Sequence, residues 1–420
     1  MEKIVINGGR PLSGNIEISG SKNAALPIMA SCILTDEELK LENIPNLQDI
    51  LTMVKVLESV GVKADLSDLA NKKICLQYKE SDKAVAEYDL VRKMRASVLI
   101  LGPLLARKRE ASVSLPGGCA IGARPIDIHI EALQKLGAEF SLDKGYVTCK
   151  ANNGLSGTKI DLPKISVGAS ENVIMAAALA KGESEISNIA IEPEIIDLIN
   201  CLKQMGSEIE FIDKRKIIIQ GKETLMGTTH CVIPDRIEVG TYMIAGALIG
   251  DRLTIKNVNL EHIQNVLNAF HNLGINLDVS EDKIFISKAN LEKSINLQTE
   301  EYPGFPTDLQ AQMMVLLSLS NQPSSIRENI FENRFMHVPE LNRMGAKISI
   351  SGNYASVDPC INLLGAPVMA TDLRASVSLV LAGLIAKGET IINRIYHIDR
   401  GYESIEKKLQ ACGADIKRIN

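Results

Sequence analysis

The chain has 420 residues, 45% of them hydrophobic and 23% charged, and a net charge of −5. That apolar fraction excludes intrinsic disorder, and 30 Gly and 15 Pro without a triplet period exclude collagen. The acidic balance argues against a surface built for nucleic acid or anionic membrane, though not against a local anion site.

Length predicts two or three domains, two being the safer reading, and the absence of Trp leaves Leu, Ile, Val, Ala and Met to build the core. The N-terminus, MEKIVINGGRPL, has no apolar signal region and no cleavage site. The longest apolar run, residues 97–106, is about half a membrane span and contains Gly102 and Pro103. The chain reads as cytoplasmic, with no membrane or nucleic-acid partner.

In chain order, a small-residue apolar stretch opened by Gly20-Ser21-Lys22-Asn23 reads as a buried helix. The alternating phrase LKLENIP then reads as a strand, and VLESVGV as the end of an amphipathic helix closed by Gly61. The same closing phrase returns as ALQKLGA, CLKQMGS, AFHNLGI, ELNRMGA and KLQACGA, with Gly137, Gly206, Gly274, Gly345 and Gly413. A Gly after the last helical turn can take the left-handed conformation that ends a helix. The strand phrase returns as SEISNIA, LTIKNVN, SIRENIF and TIINRIY, so its asparagines are Asn43, Asn188, Asn257, Asn329 and Asn393, with Ser114 in the second unit. Each unit is therefore expected to be buried helix, strand, amphipathic helix, strand, strand. A period of about 70 residues is longer than a solenoid repeat and carries its own helices and sheet. Six units divide into three plus three, with the boundary expected in the polar stretch 221–230. Two similar domains predict a cleft for a small ligand.

Departures from the repeat point to chemistry. The second unit carries an insertion, Pro116 to Gly122, that places Cys119 among three glycines with Arg124 close behind. It is expected to be a mobile loop whose thiol Arg124 favours as thiolate. The other seven cysteines, Cys32, Cys75, Cys149, Cys201, Cys231, Cys360 and Cys412, form no CxxC pair, and most read as small buried hydrophobes. Lys22 at a helix mouth is placed to bind an anion with the free amides, or else belongs to a plain helix cap. Arg95, Arg334, Arg374 and Arg400 stand where other units have small or apolar residues. They read either as salt-bridge partners of Asp372 and Asp399 or as phosphate ligands. Asp308, before another buried helix, is either a helix cap or the base of an active site. No Walker loop, dinucleotide fingerprint, HExxH or GxSxG is present.

The phrases GSKNAALP, LPGGCAIGARPID, FPTDLQAQ, FENRFMHVPEL, MATDLRAS and YHIDRGYE, in this order along the whole chain, strongly resemble the bacterial UDP-N-acetylglucosamine 1-carboxyvinyltransferase family. The resemblance implies a fold of two inside-out α/β domains, each of three repeated units with buried helices. The first domain would span 22–231 with a lid loop at 115–123, and the second would join 1–21 to 232–420. It implies transfer of the enolpyruvyl group of phosphoenolpyruvate to the 3′-hydroxyl of UDP-N-acetylglucosamine, with release of phosphate, in peptidoglycan synthesis. By motif, Lys22, Asn23, Arg124 and Arg400 would hold phosphoenolpyruvate. Asn23, Arg95, Arg124, Pro125, Ile126, Asp127, Ile128, Lys164, Ser166, Val167, Asp308 and Ile330 would hold the sugar nucleotide. Cys119 would be the proton donor and fosfomycin target, and Asp308 the base, with Lys22 and Arg400 completing the catalytic group. Arg334, Asp372 and Arg374 would line the cleft. No cofactor or metal is expected, because Lys and Arg supply the charge. Ala120 and Ile128 are small departures from the family's pattern. The competing expectations are an enolpyruvylshikimate-phosphate synthase-like transferase, against which the PGGC loop argues, and a non-catalytic repeat scaffold, against which the retained Lys22, Cys119, Asp308 and Arg400 argue.

Overall fold

Among the described residues five helices have almost no polar face, and the rest of the fold is arranged to cover them. In Lys22–Ser31 nine of ten residues are buried, and in the longest, Arg236–Ile249, every residue from Ile237 onward is buried. A helix apolar all round must be enclosed by protein. The computed structural model describes residues 2–79, 85–86, 94–114 and 126–420. These form two compact units, one of residues 20–233 and one of 2–19 with 234–420. Each unit has its own hydrophobic core.

Residues 20–233 bury helices Lys22–Ser31 and Val167–Ala177 and the first five residues of Leu101–Lys108. The other unit buries Arg236–Ile249, Gln310–Ser318 and Leu373–Ile385, which pack on one another. Among the described residues six four-stranded sheets cover the helices. The amphipathic helices end as expected: Gly61, Gly137, Gly206, Gly274, Gly345 and Gly413 all have φ between 77° and 105°. At Gly137 the chain closes with Gly137 N–H on the Gln134 carbonyl and Ala138 N–H on the Leu133 carbonyl, at 2.9 and 3.1 Å. That paired bonding satisfies carbonyls the helix leaves open.

Two features were not legible in the sequence. Each sheet has a fourth, edge strand paired parallel to the first strand of its unit, for example Lys159–Asp161 on Glu183–Ser187. Three such strands are three residues long with one buried position, too short to show a period of two. Nor is the stretch 221–230 a linker. It runs into the strand Thr228–Cys231, which pairs with Leu39–Glu42 and completes the first unit's sheet. The N-terminal strands Lys3–Asn7 and Leu12–Glu17 complete two sheets of the other unit, against Glu389–Asn393 and Asp415–Ile419 and against Gly250–Lys256.

The repeat also has a side-chain lock. Asn43, Asn188 and Asn257 adopt φ near +60° just after their strands. Each side-chain amide donates to the carbonyl just past the facing edge strand: Val232 at 2.8 Å, Leu162 at 2.8 Å and Ile18 at 3.1 Å. Asn tolerates this left-handed backbone better than most residues. Sheet register corrects the sequence alignment of the last two units. The residue in this position is Glu328 rather than Asn329, and Arg394 rather than Asn393.

Candidate active site

In residues 20–233, Gly20 lies so close to the backbone of Asn43 that a Cβ there would stand 1.7 Å from its carbonyl oxygen. Only glycine allows this approach. It brings the chain into the helix with Ser21 as N-cap, accepting from Ala24 N–H at 3.3 Å. Lys22 is thus the first residue of the helix. It is 9% exposed and paired through Nζ with Asp49 Oδ2 at 3.1 Å. Asn23 beside it is half-buried.

Arg95 opens a 3₁₀ turn, Arg95–Ile100, that runs directly into Leu101–Lys108. Asn172, fully buried, ties this rod to its neighbours. Its Oδ1 accepts from Gly102 N–H at 2.7 Å, and its Nδ2 donates to the Val98 carbonyl at 3.1 Å and meets His129 Nδ1 at 2.9 Å. With the amide so oriented, His129 Nδ1 is an acceptor and the ring proton belongs on Nε2. That nitrogen faces Gly168, in the first turn of Val167–Ala177, where a Cβ would stand 3.3 Å from it. Burial, and then the charge of Arg95, lower the His129 pKa to about 4, against a smaller opposing effect of Asp127. Arg95, Asp127, His129 and the mouth of the 167–177 helix therefore form one neighbourhood. Ser166 caps that helix on Ala169 N–H at 3.4 Å, and Lys164 and Val167 are exposed beside it. Ile126 and Ile128 are core residues, 7% and 5% exposed.

In the other unit, Asp308 is clamped by two guanidiniums. Arg334 Nη2 meets Oδ1 at 2.6 Å and Arg374 Nη2 meets Oδ2 at 2.8 Å. Both arginines are buried, while 26% of the Asp308 side chain is exposed. This bears on two alternatives left open by the sequence. Asp308 does not cap the helix that follows, and Arg374 pairs with Asp308 rather than with Asp372. Asp372 is itself the cap, accepting from Arg374 and Ala375 N–H at 2.8 and 3.1 Å, and Asp399 pairs with Arg418. Burial opposes the Arg374 charge, but Asp308, Tyr402 and Asp235 together outweigh it and push the guanidinium pKa up. Arg374 Nη1 donates to the Tyr402 hydroxyl at 3.2 Å, and the hydroxyl also meets Thr241 Oγ1 at 2.8 Å. Gln312 Nε2 donates to the Asp308 carbonyl at 2.9 Å. Arg400 ends a 3₁₀ turn, Ile395–Arg400, close enough to His397 to help lower its pKa after burial. Ile330 is half-buried.

Cys119, Arg124 and Pro125 lie outside the described residues. Asp49, His129, Asn172, Tyr402 and Gln312 were missed in the sequence because none breaks the repeat in a visible way. Asn172 looked like any polar residue of a small-residue helix. Among the described residues no group of His, Cys, Asp or Glu could hold a metal, and no helix is long and apolar enough to cross a membrane.

Residues 6–409 match the family described as EPSP synthase (3-phosphoshikimate 1-carboxyvinyltransferase). The UDP-N-acetylglucosamine 1-carboxyvinyltransferases of Granulibacter bethesdensis and Pelagibacter ubique are 51% and 52% identical to the chain over 420 residues, covering all of both sequences. The crystal structure of the enolpyruvyl transferase NikO from Streptomyces tendae is 24% identical, with a TM-score of 0.90 over 99% of this chain and 98% of that one, which shows the fold. Half the residues retained end to end, on two units of three repeats each, place the chain in the UDP-N-acetylglucosamine 1-carboxyvinyltransferase family of enolpyruvyl transferases.

Proposed function

We propose that the protein transfers the enolpyruvyl group of phosphoenolpyruvate to the 3′-hydroxyl of UDP-N-acetylglucosamine, releasing phosphate, as the first committed step of peptidoglycan synthesis in the cytoplasm. The observation that carries the site reading is Asp308, a partly exposed carboxylate whose two oxygens are each fixed by a buried arginine. The carboxylate stays partly open to solvent, so the clamp does not seal it from a hydroxyl. In this reading Asp308 removes the proton of the 3′-hydroxyl as its oxygen bonds to C2 of phosphoenolpyruvate. Cys119 delivers a proton to C3. The resulting tetrahedral adduct expels phosphate and loses a C3 proton, restoring the double bond.

Lys22, Arg124 and Arg400 hold the phosphate and carboxylate, supplying the positive charge on which the addition depends. Asn23 reaches both substrates. Arg95, Arg124 to Ile128, Lys164, Ser166, Val167 and Ile330 hold the sugar nucleotide, with the two isoleucines of 126–128 acting through backbone groups because their side chains are in the core. Arg334 and Arg374 set the angle of the base, and Asp372 fixes the helix that carries Arg374.

The test is phosphate release from phosphoenolpyruvate. Release is expected only with UDP-N-acetylglucosamine, and shikimate 3-phosphate should not replace it. Release with shikimate 3-phosphate alone would move the protein to the sister activity, and no release with either would make it a scaffold.

A further inference from the structure

Glu328 occupies the position that asparagine holds in three other units, directly after the first strand of its sheet. The scaffold works there with an amide that donates to the facing edge. Glu328 reverses that polarity, because a carboxylate only accepts. It is 3% exposed and gathers donors from three segments. The Thr299 hydroxyl meets Oε1 at 2.9 Å, and Ile330 and Phe331 N–H donate to the same oxygen at 2.9 and 3.1 Å. Oε2 accepts from the Thr307 hydroxyl at 2.9 Å.

These contacts close a ring around the candidate base. Thr307 adjoins Asp308. On the other side, Phe331 lies under the Arg334 guanidinium at 5.4 Å, and Arg334 holds Asp308 Oδ1 at 2.6 Å. Burying a carboxylate where the repeat uses an amide costs desolvation, and neutral donors offset that cost only if all are in place. The fold has no need of the exchange, whereas a base that must meet one hydroxyl does.

We propose that Glu328 is a positioning residue for Asp308, tying the Thr307–Asp308 turn to the segment that delivers Arg334. The inference rests on the reading of Asp308 as base. Glu328→Gln keeps the shape and one acceptor oxygen but loses the charge, and Thr307→Val cuts only the arm to Asp308. Each is expected to lower kcat by about tenfold to a hundredfold, the scale of a slightly misplaced group, with little change in KM for phosphoenolpyruvate. Combined with Asp308→Asn, neither should lower kcat beyond Asp308→Asn alone, since both act through the same carboxylate. Thermal melts identify any variant that loses kcat by unfolding, and Thr307→Val then carries the decision if Glu328→Gln does not fold. Normal kcat in Asp308→Asn would remove the base and this inference with it. A slow Asp308→Asn enzyme beside a normal Thr307→Val enzyme, or a double variant showing the product of both losses, overturns the positioning role alone.

Discussion

Burial holds His129 in one unit and His337 in the other neutral, and both stand beside arginines of the candidate site. His129 is lowered to about 4 by burial and then by Arg95. His337 is lowered to about 4 by burial, against Asp372 and with Arg334. Both are neutral at pH 7, which spares Arg95 and Arg334 a buried like charge. A histidine whose pKa falls on folding gives its full stability above the unfolded value near 6.5 and loses it as pH drops towards the folded value. At pH 5 each should cost its unit about 2 kcal/mol relative to pH 7. Urea titrations at the two pH values check this, and His129→Gln should flatten the dependence in the unit of residues 20–233. An equally steep loss in that variant would assign the acid sensitivity elsewhere. Single residues were legible where they broke the repeat: Lys22 and Asp308 stood out as charges at the mouths of apolar helices. Arg334 and Arg374 stood out too, but the pairings did not: Asp49 lies on an amphipathic helix of ordinary composition, and Arg334 and Arg374 reach Asp308 from 26 and 66 positions further along the chain.

At the level of elements, the buried helices and their glycine stops were written in local sequence, since an apolar helix and a left-handed closing residue each need only neighbouring positions. Close approach between helices is a different matter. A Cβ on Gly102 would stand 2.3 Å from the Asn172 carbonyl oxygen, so Leu101–Lys108 and Val167–Ala177 touch backbone to backbone. That contact places Asn172 where it holds Val98, Gly102 and His129 together, downstream of Arg95 on the same rod. Gly102→Ala should force the two helices apart, costing about 1–3 kcal/mol, the usual scale for overpacking. It should also weaken UDP-N-acetylglucosamine binding, because Arg95 and the mouth of the second helix shift relative to one another. Urea denaturation gives the first quantity and a calorimetric titration the second. Unchanged stability would mean the helices separate freely, and lost stability with intact affinity would detach Arg95 from the nucleotide site.

Over the whole molecule, the six repeats were countable in the sequence, but the way the chain closes them was not. Sheets completed by residues 3–7, 12–17 and 228–231 join strands far apart in sequence, which no local pattern reports. The same wide view sharpens the expectation for Cys119. The seven described cysteines are free, and burial raises the pKa of every one, to about 11 for Cys149, about 12 for Cys201 and higher for Cys32. Cys75, Cys231, Cys360 and Cys412 are raised as well, burial again the largest cause. The thiolate is the nucleophile, so all seven should react slowly at pH 7. Cys231 is the strongest rival to Cys119, being in an exposed residue, yet the carboxylates of Glu42 and Asp197 also oppose its ionisation. Cys119, amid glycines and near Arg124 in the sequence, should therefore be alkylated first by iodoacetamide and should be the residue that opens the epoxide of fosfomycin. Because fosfomycin carries a phosphonate, phosphoenolpyruvate should slow its reaction with the enzyme by competing for Lys22, Arg124 and Arg400, while leaving iodoacetamide labelling of Cys231 unchanged. Peptide mass mapping after timed exposure to each reagent reads both outcomes. Adducts on Cys231 or Cys75 with Cys119 unmodified would remove Cys119 as the proton donor, and fosfomycin labelling of Cys119 at the same rate with and without phosphoenolpyruvate would separate the thiol from the phosphate site.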